Sequence, residues 1–219
     1  MAKVLRWSGN IDLSNESITK ESITKESITK ESITKGGLLA WLGKLVFSPE
    51  KLNYPKGLSG EVKVAQQLAR ELGDHWVLLN DINIKAAGGK TQIDHLLFGP
   101  HGIFCLETKN WNTASCNEQG DWFRLERGMW VPQKSPVEQT RAKLAALSKM
   151  FSQANLPHEL QGIIVFANPG KFKFAESKQV NEIKPIGLPG LIGYLQQLEE
   201  QAPIYSDPDI EKFLRLFKL

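Results

Sequence analysis

The stretch Thr91-Gln-Ile-Asp-His-Leu-Leu-Phe-Gly-Pro-His-Gly-Ile-Phe-Cys-Leu-Glu-Thr-Lys109 decides how this chain is read. It holds two runs of aliphatic, aromatic and β-branched residues split by Gly99-Pro-His-Gly102, a pattern that predicts two strands and a tight turn. Side chains alternate across a strand, so Glu107 and Lys109 face the same way as Ile103 and Cys105, while Asp94 shares a face with Gln92, Leu96 and Phe98. A symmetric turn then sets Asp94 directly opposite Glu107, and Lys109 opposite Gln92. Two carboxylates about 4 Å apart repel by roughly 4 kcal/mol at an effective dielectric of 20. A raised pKa, an ammonium or a bound cation must offset that repulsion. From spacing alone two readings stand. In one, Asp94 and Glu107 hold a hard divalent ion, magnesium or manganese, with Lys109 beside a metal-bound water, a layout for phosphodiester hydrolysis. In the other, the face is structural, with a salt bridge to Lys109 or Lys90.

Working outward, Glu61 heads the apolar stripe Glu61, Ala65, Leu68 and Leu72 of a helix predicted over 61–72. An inward carboxylate needs a partner, which a shared metal or Lys109 would supply. Its other reading is a plain preference for the positive helix N-terminus. Further strands are predicted over 76–85, 121–125, 129–131 and 162–167. Pro136 opens a helix to Ala154, and helices follow over 188–200 and 209–217. One helix, a run of strands, a helix, a strand and more helices make an α/β or α+β domain.

Upstream, Glu-Ser-Ile-Thr-Lys occurs four times in succession from Glu16 to Lys35. A period of five gathers no apolar face on a helix or on a strand, so the tandem repeat reads as a solvated spacer. The chain thus divides into an N-terminal segment (1–15), the repeat spacer (16–35), an apolar segment with a linker (36–56) and a folded domain (57–219). The apolar segment, Gly36 to Phe47, falls short of the roughly 20 residues a membrane-spanning helix needs, so no membrane insertion is expected. It is expected to dock on the domain.

The 219 residues are 41% hydrophobic and 23% charged, which excludes a disordered chain. Lys+Arg is 27 against Asp+Glu 24, a net charge of +3 that permits a nucleic-acid partner without announcing one. Cys105 and Cys116 are too few for a disulfide scaffold or a zinc site of their own, and a reducing, cytoplasmic setting is the simplest reading. Trp111, Trp122, Phe123 and Trp130 lie near Lys109, Arg124, Arg127 and Lys134, where aromatics can stack bases, although burial in a sheet is the commoner role. His95 is expected to point away from the Asp94 face, and His101, in the turn, to be exposed.

Gly60-Glu61, Leu79-Asn80-Asp81, Gln92-Ile93-Asp94-His95, Gly99-Pro-His-Gly102, Leu106-Glu107-Thr108-Lys109-Asn110 and Ser135-Pro-Val-Glu-Gln139 together resemble the nuclease-related domain (NERD) family, over roughly residues 57 to 168. That family is placed in the PD-(D/E)XK nuclease superfamily. The resemblance implies a restriction-endonuclease-like α/β core, a mixed central sheet flanked by helices. It implies that Asp94, Glu107 and Lys109 form the D…ExK signature, that Glu61 is the helical acid and that Gln139 is the polar residue of the later helix. Ile93 stands where the superfamily usually has proline. The function implied is metal-dependent hydrolysis of DNA, with RNA the lesser candidate and Mg²⁺ or Mn²⁺ held by Asp94, Glu107 and Glu61. The alternative is a catalytically weak nucleic-acid-binding or interaction module that keeps the fold. The sequence leaves the oligomeric state open.

Overall fold

Strands β3 (Gly89–Gly99) and β4 (Gly102–Lys109) form the hairpin the sequence predicts, in the predicted register, from Gly99 opposite Gly102 to His95 opposite Leu106. A computed structural model describes residues 2–7, 56–86, 89–175 and 182–217. The pentapeptide repeat and the segment Gly36–Phe47 lie outside the described residues. Those described belong to one unit, Met1–Trp7 with Tyr54–Leu219.

The hairpin sits inside a mixed six-stranded sheet of order β1-β2-β3-β4-β8-β10. Here β1 is Lys3–Trp7, β2 Val77–Ala86, β8 Leu160–Phe166 and β10 Lys184–Gly187. β2 runs antiparallel to β3, whereas β1 is parallel to β2, β8 to β4 and β10 to β8. Helices α1 (Lys56–Glu71) and α3 (Leu188–Leu198) cover one face, where Val64, Leu68, Leu191 and Leu195 bury against Leu78, Leu97, Phe104 and Leu106. Helices α2 (Pro136–Gln153) and α4 (Asp207–Arg215) cover the other, where Leu147, Phe151 and Phe213 bury against Leu79, Leu96, Phe98 and Cys105. β4 is buried along nearly its whole length because both faces are covered, so Ile103 to Leu106 read as an apolar run and Glu107 is buried at its end. The result is a sheet flanked by helices, compatible with a restriction-endonuclease-like core.

A second, four-stranded sheet of order β7-β6-β5-β9 follows from the end of β4. Its strands are β5 (Thr113–Cys116), β6 (Trp122–Glu126), β7 (Met129–Gln133) and β9 (Lys171–Phe174). Its inner side, with Trp122, Phe172 and Phe174, packs on Val137, Ile164 and Phe166.

Several elements differ from the sequence reading. α1 begins at Lys56, not Glu61, so Gly57 and Gly60, which precede the helix predicted from Glu61, are helical. At Gly60 a Cβ would lie 2.8 Å from that of Asn110, so the glycine marks a close approach of helix to strand, not a break. β1, β5, β9 and β10 were not foreseen. His101 is buried, 9% exposed, with its ring 6.3 Å from that of Trp76. Trp111 and Trp122 are core residues, whereas Trp130 is 51% exposed. Among the described residues no helix is long and apolar enough to cross a membrane.

The Gly99 turn is held from above. Trp76 is fully buried, donates to Glu199 Oε1 at 2.8 Å, and its ring occupies the space a Cβ on Gly99 would need. Gly99→Ala is therefore expected to lower unfolding stability by about 1–3 kcal/mol. Gly193→Ala, on an exposed turn of α3 where an added Cβ meets nothing, is expected to raise it by up to about 1 kcal/mol. Urea denaturation of the two variants tests both signs.

Candidate active site

The site lies at the end of the β3–β4 ladder. Beyond His95 and Leu106 the side chain of Asp94 takes over from the backbone, and its Oδ2 accepts from the Thr108 N–H at 2.8 Å. Glu107, one residue earlier on β4, is buried. Gln92 does not meet Lys109; its amide donates to Asp81. Asp81 lies on β2 at φ 51°, a left-handed conformation rare for a non-glycine residue.

α2 completes the site. Ser135 caps it by accepting from the Glu138 N–H at 3.3 Å, and Pro136 takes the first turn. The buried positions Val137, Thr140, Lys143, Leu147 and Phe151 fix which face meets the sheet. That face presents Gln139 and Lys143, one turn apart. Lys109 Nζ donates to Gln139 Oε1 at 2.8 Å and to Glu107 Oε1 at 2.5 Å. Lys143 Nζ donates to Asp94 Oδ1 at 2.8 Å and also to Glu107 Oε2. One ammonium thus bridges the two carboxylates.

Lys143 is the site residue that sequence reasoning missed. Two signals were there to find it: its position four residues after Gln139, and its place on the apolar stripe of α2. Burial by itself would lower its pKa, but contact with Asp94 and Glu107 outweighs burial and raises it above the ordinary lysine value. It carries its charge throughout the physiological range.

Glu61 comes in from α1, half-buried. The N-terminal half of α1 is tied to the strand ends by a polar seam: Asn110 Nδ2 donates to Ser59 Oγ at 3.0 Å, and Asn168 Nδ2 donates to Asn110 and Asn112. Burial first, then the charges of Asp94 and Asp81, push Glu61 up to about 7; Lys143 opposes this and Glu107 adds to it. His95 points to the other face, where its Nδ1 lies 2.7 Å from Asn80 Oδ1. Burial, then Lys143, hold it down at about 3, so it stays neutral. Cys105, on the Glu107 face, is buried, which pushes its thiol up to about 12.

Glu61, Asp81, Asp94 and Glu107 are four acids near two ammoniums. Oxygen donors with an excess of negative charge suit magnesium or manganese better than a soft metal. The donor chemistry therefore fits a hard cation at Asp94 and Glu107. Among the described residues no three His, Cys, Asp or Glu side chains are gathered into a ready cage.

The family model described as a nuclease-related domain, NERD, matches residues 56–167. No curated protein and no solved structure matches the chain.

The raised Glu61 pKa has a pH consequence. A carboxyl whose folded pKa exceeds its unfolded value contributes stability that is fully present below 4.5 and lost as pH rises through about 7. Glu61→Gln removes that dependence. Its melting temperature is expected to gain on the wild type as pH is raised from 4 to 8, a relative gain of a few degrees. A wild-type-minus-variant difference that stays constant across a pH series of thermal melts would refute the assignment.

Proposed function

The chain belongs to the nuclease-related domain family, and on that premise we propose that it is a metal-dependent nuclease hydrolysing DNA phosphodiester bonds. The observation that supports this most is the convergence of Asp94, Glu107, Lys109 and Gln139, from two strands and a helix, on one partly buried point. Nucleic-acid interaction follows from the family in general; DNA over RNA is part of the proposal.

In the reaction, a water oxygen bonds to phosphorus as a bridging P–O bond breaks, the water loses a proton and the departing alkoxide gains one. Magnesium or manganese, held by Asp94 and Glu107 with Glu61 assisting, would supply Lewis-acid polarisation and a more acidic water. Lys109 stabilises negative charge building on the phosphate and positions the water. Gln139 orients Lys109, fixing the ammonium that Glu107 would otherwise hold alone. Glu61, titrating near neutrality, gains or loses a proton at little cost.

A second reading has its own support. The Lys143 ammonium already balances the carboxylate pair, as it would in a catalytically weak nucleic-acid-binding or interaction module that keeps the fold.

Cleavage of labelled single- and double-stranded DNA and RNA with Mg²⁺ or Mn²⁺, with EDTA as control, separates the two. The nuclease is expected to cut DNA only with metal, and Asp94→Ala or Lys109→Ala to lower the rate by roughly 100-fold or more, about 3 kcal/mol of transition-state stabilisation. Salt-sensitive binding without cutting would favour the second reading. Cutting undiminished by Asp94→Ala would remove Asp94 from the site.

A further inference from the structure

Each oxygen of the Asp94–Glu107 pair already has a donor. Asp94 Oδ2 accepts from the Thr108 backbone and Glu107 Oε1 from Lys109, while Asp94 Oδ1 and Glu107 Oε2 share Lys143. Lys143 thus joins one oxygen of each acid across the two strands. Its side chain is only 10% exposed, so the contact is screened little by water.

We propose that Lys143 is a tethered counter-ion that a divalent metal has to displace, so that metal entry at Asp94 and Glu107 is an exchange of cations. This rests on the nuclease reading of the same two carboxylates.

The three donors differ in how readily they can leave. The Thr108 N–H is backbone and fixed by β4. Lys109 is already shared with Gln139 and can keep that bond while Glu107 Oε1 turns elsewhere. Among the described residues Lys143 donates to no other side chain than the two acids. It hangs on a flexible four-carbon stem whose Cα is fixed by the packing of α2, so it can swing out without any change in the fold. A divalent ion brings twice its charge to the same oxygens but must first break these contacts. Apparent metal affinity is therefore lower than the carboxylates alone would give. In return, the metal-free site never carries two buried carboxylates without a cation between them, an arrangement that is strongly destabilising. A released Lys143 stays on the helix face that carries Gln139, where an anionic phosphate would draw it.

The test is calorimetric titration of Mn²⁺ into the full chain, as wild type, Lys143→Met, Lys143→Arg and Asp94→Asn, with thermal melts of each in EDTA and in Mn²⁺. Lys143→Met is expected to bind Mn²⁺ at least about tenfold more tightly than wild type, a gain of about 1.4 kcal/mol. It should melt lower in EDTA and recover more on adding the ion. Lys143→Arg keeps the charge and should bind much as wild type does. If Lys143→Met does not fold in EDTA, rescue of its folding by Mn²⁺ supports the exchange, and failure of Mn²⁺ to rescue it overturns the exchange. Equal or weaker binding by a folded Lys143→Met, with wild-type binding abolished by Asp94→Asn, overturns the exchange and leaves the nuclease reading standing. No Mn²⁺ binding by wild type or Lys143→Met, or binding that survives Asp94→Asn, removes the metal site and the exchange together.

Discussion

Two carboxylates on neighbouring strands cannot both stay ionised on a desolvated face without positive charge between them, and the candidate site of this molecule is arranged around that constraint. Asp94 and Glu107 come together because a tight turn fixes the hairpin register. Once together, they need a cation that water cannot supply, since both are largely buried. The cation has to come from the layer packed on the sheet. That sets the rotation of α2, because the face burying Val137, Leu147 and Phe151 must also present Lys143. A helix turned so that each buried position passes to the next residue would bring Glu138, Arg141 and Ser148 to the sheet and take Lys143 away from the carboxylates.

The other face of the sheet answers a different demand. α1 must bring Glu61 close to the same carboxylates, which work against its ionisation. The Asn110–Asn168–Asn112 seam, with Ser59, holds the helix there through amide and hydroxyl hydrogen bonds, and Lys63 of α1 adds a longer one by donating to Asn168 Oδ1 at 3.4 Å. Gly60 lets the helix approach closely enough for the seam to form.

Much of this was legible in the sequence for a physical reason. The β3–β4 register follows from two glycines and an alternation that burial makes unambiguous; slipping by one residue would turn Leu96, Phe98, Ile103 and Cys105 away from their core. Pro136 announced α2. The short strands β5, β9 and β10 left no such trace. Each has only four residues; β9 and β10 owe their conformation to partners distant in sequence, and β5 lies between its neighbour β6 and the distant β9. β1 is parallel to β2 and cannot be inferred from any local turn. Lys143 was hidden by the habits of lysine itself, since a lysine on an amphipathic helix is ordinarily solvated. The exposure expected of His101, usual for turn residues, fails because Trp76 packs near it and the Ile204 and Tyr205 N–H groups donate to Pro100 of the same turn.

Cys105 sits two residues before Glu107 on the same buried face, and its thiol is held far from ionisation. Thiolates, not thiols, react with alkylating reagents, so in the folded chain this sulfur is chemically silent. It becomes reactive only when α2 and α4 lift away from the sheet. The rate at which a maleimide or iodoacetamide modifies Cys105 is therefore a clock for the opening of the layer that covers the carboxylates. The chain carries its own reporter, at natural sequence, for how often that face meets solvent.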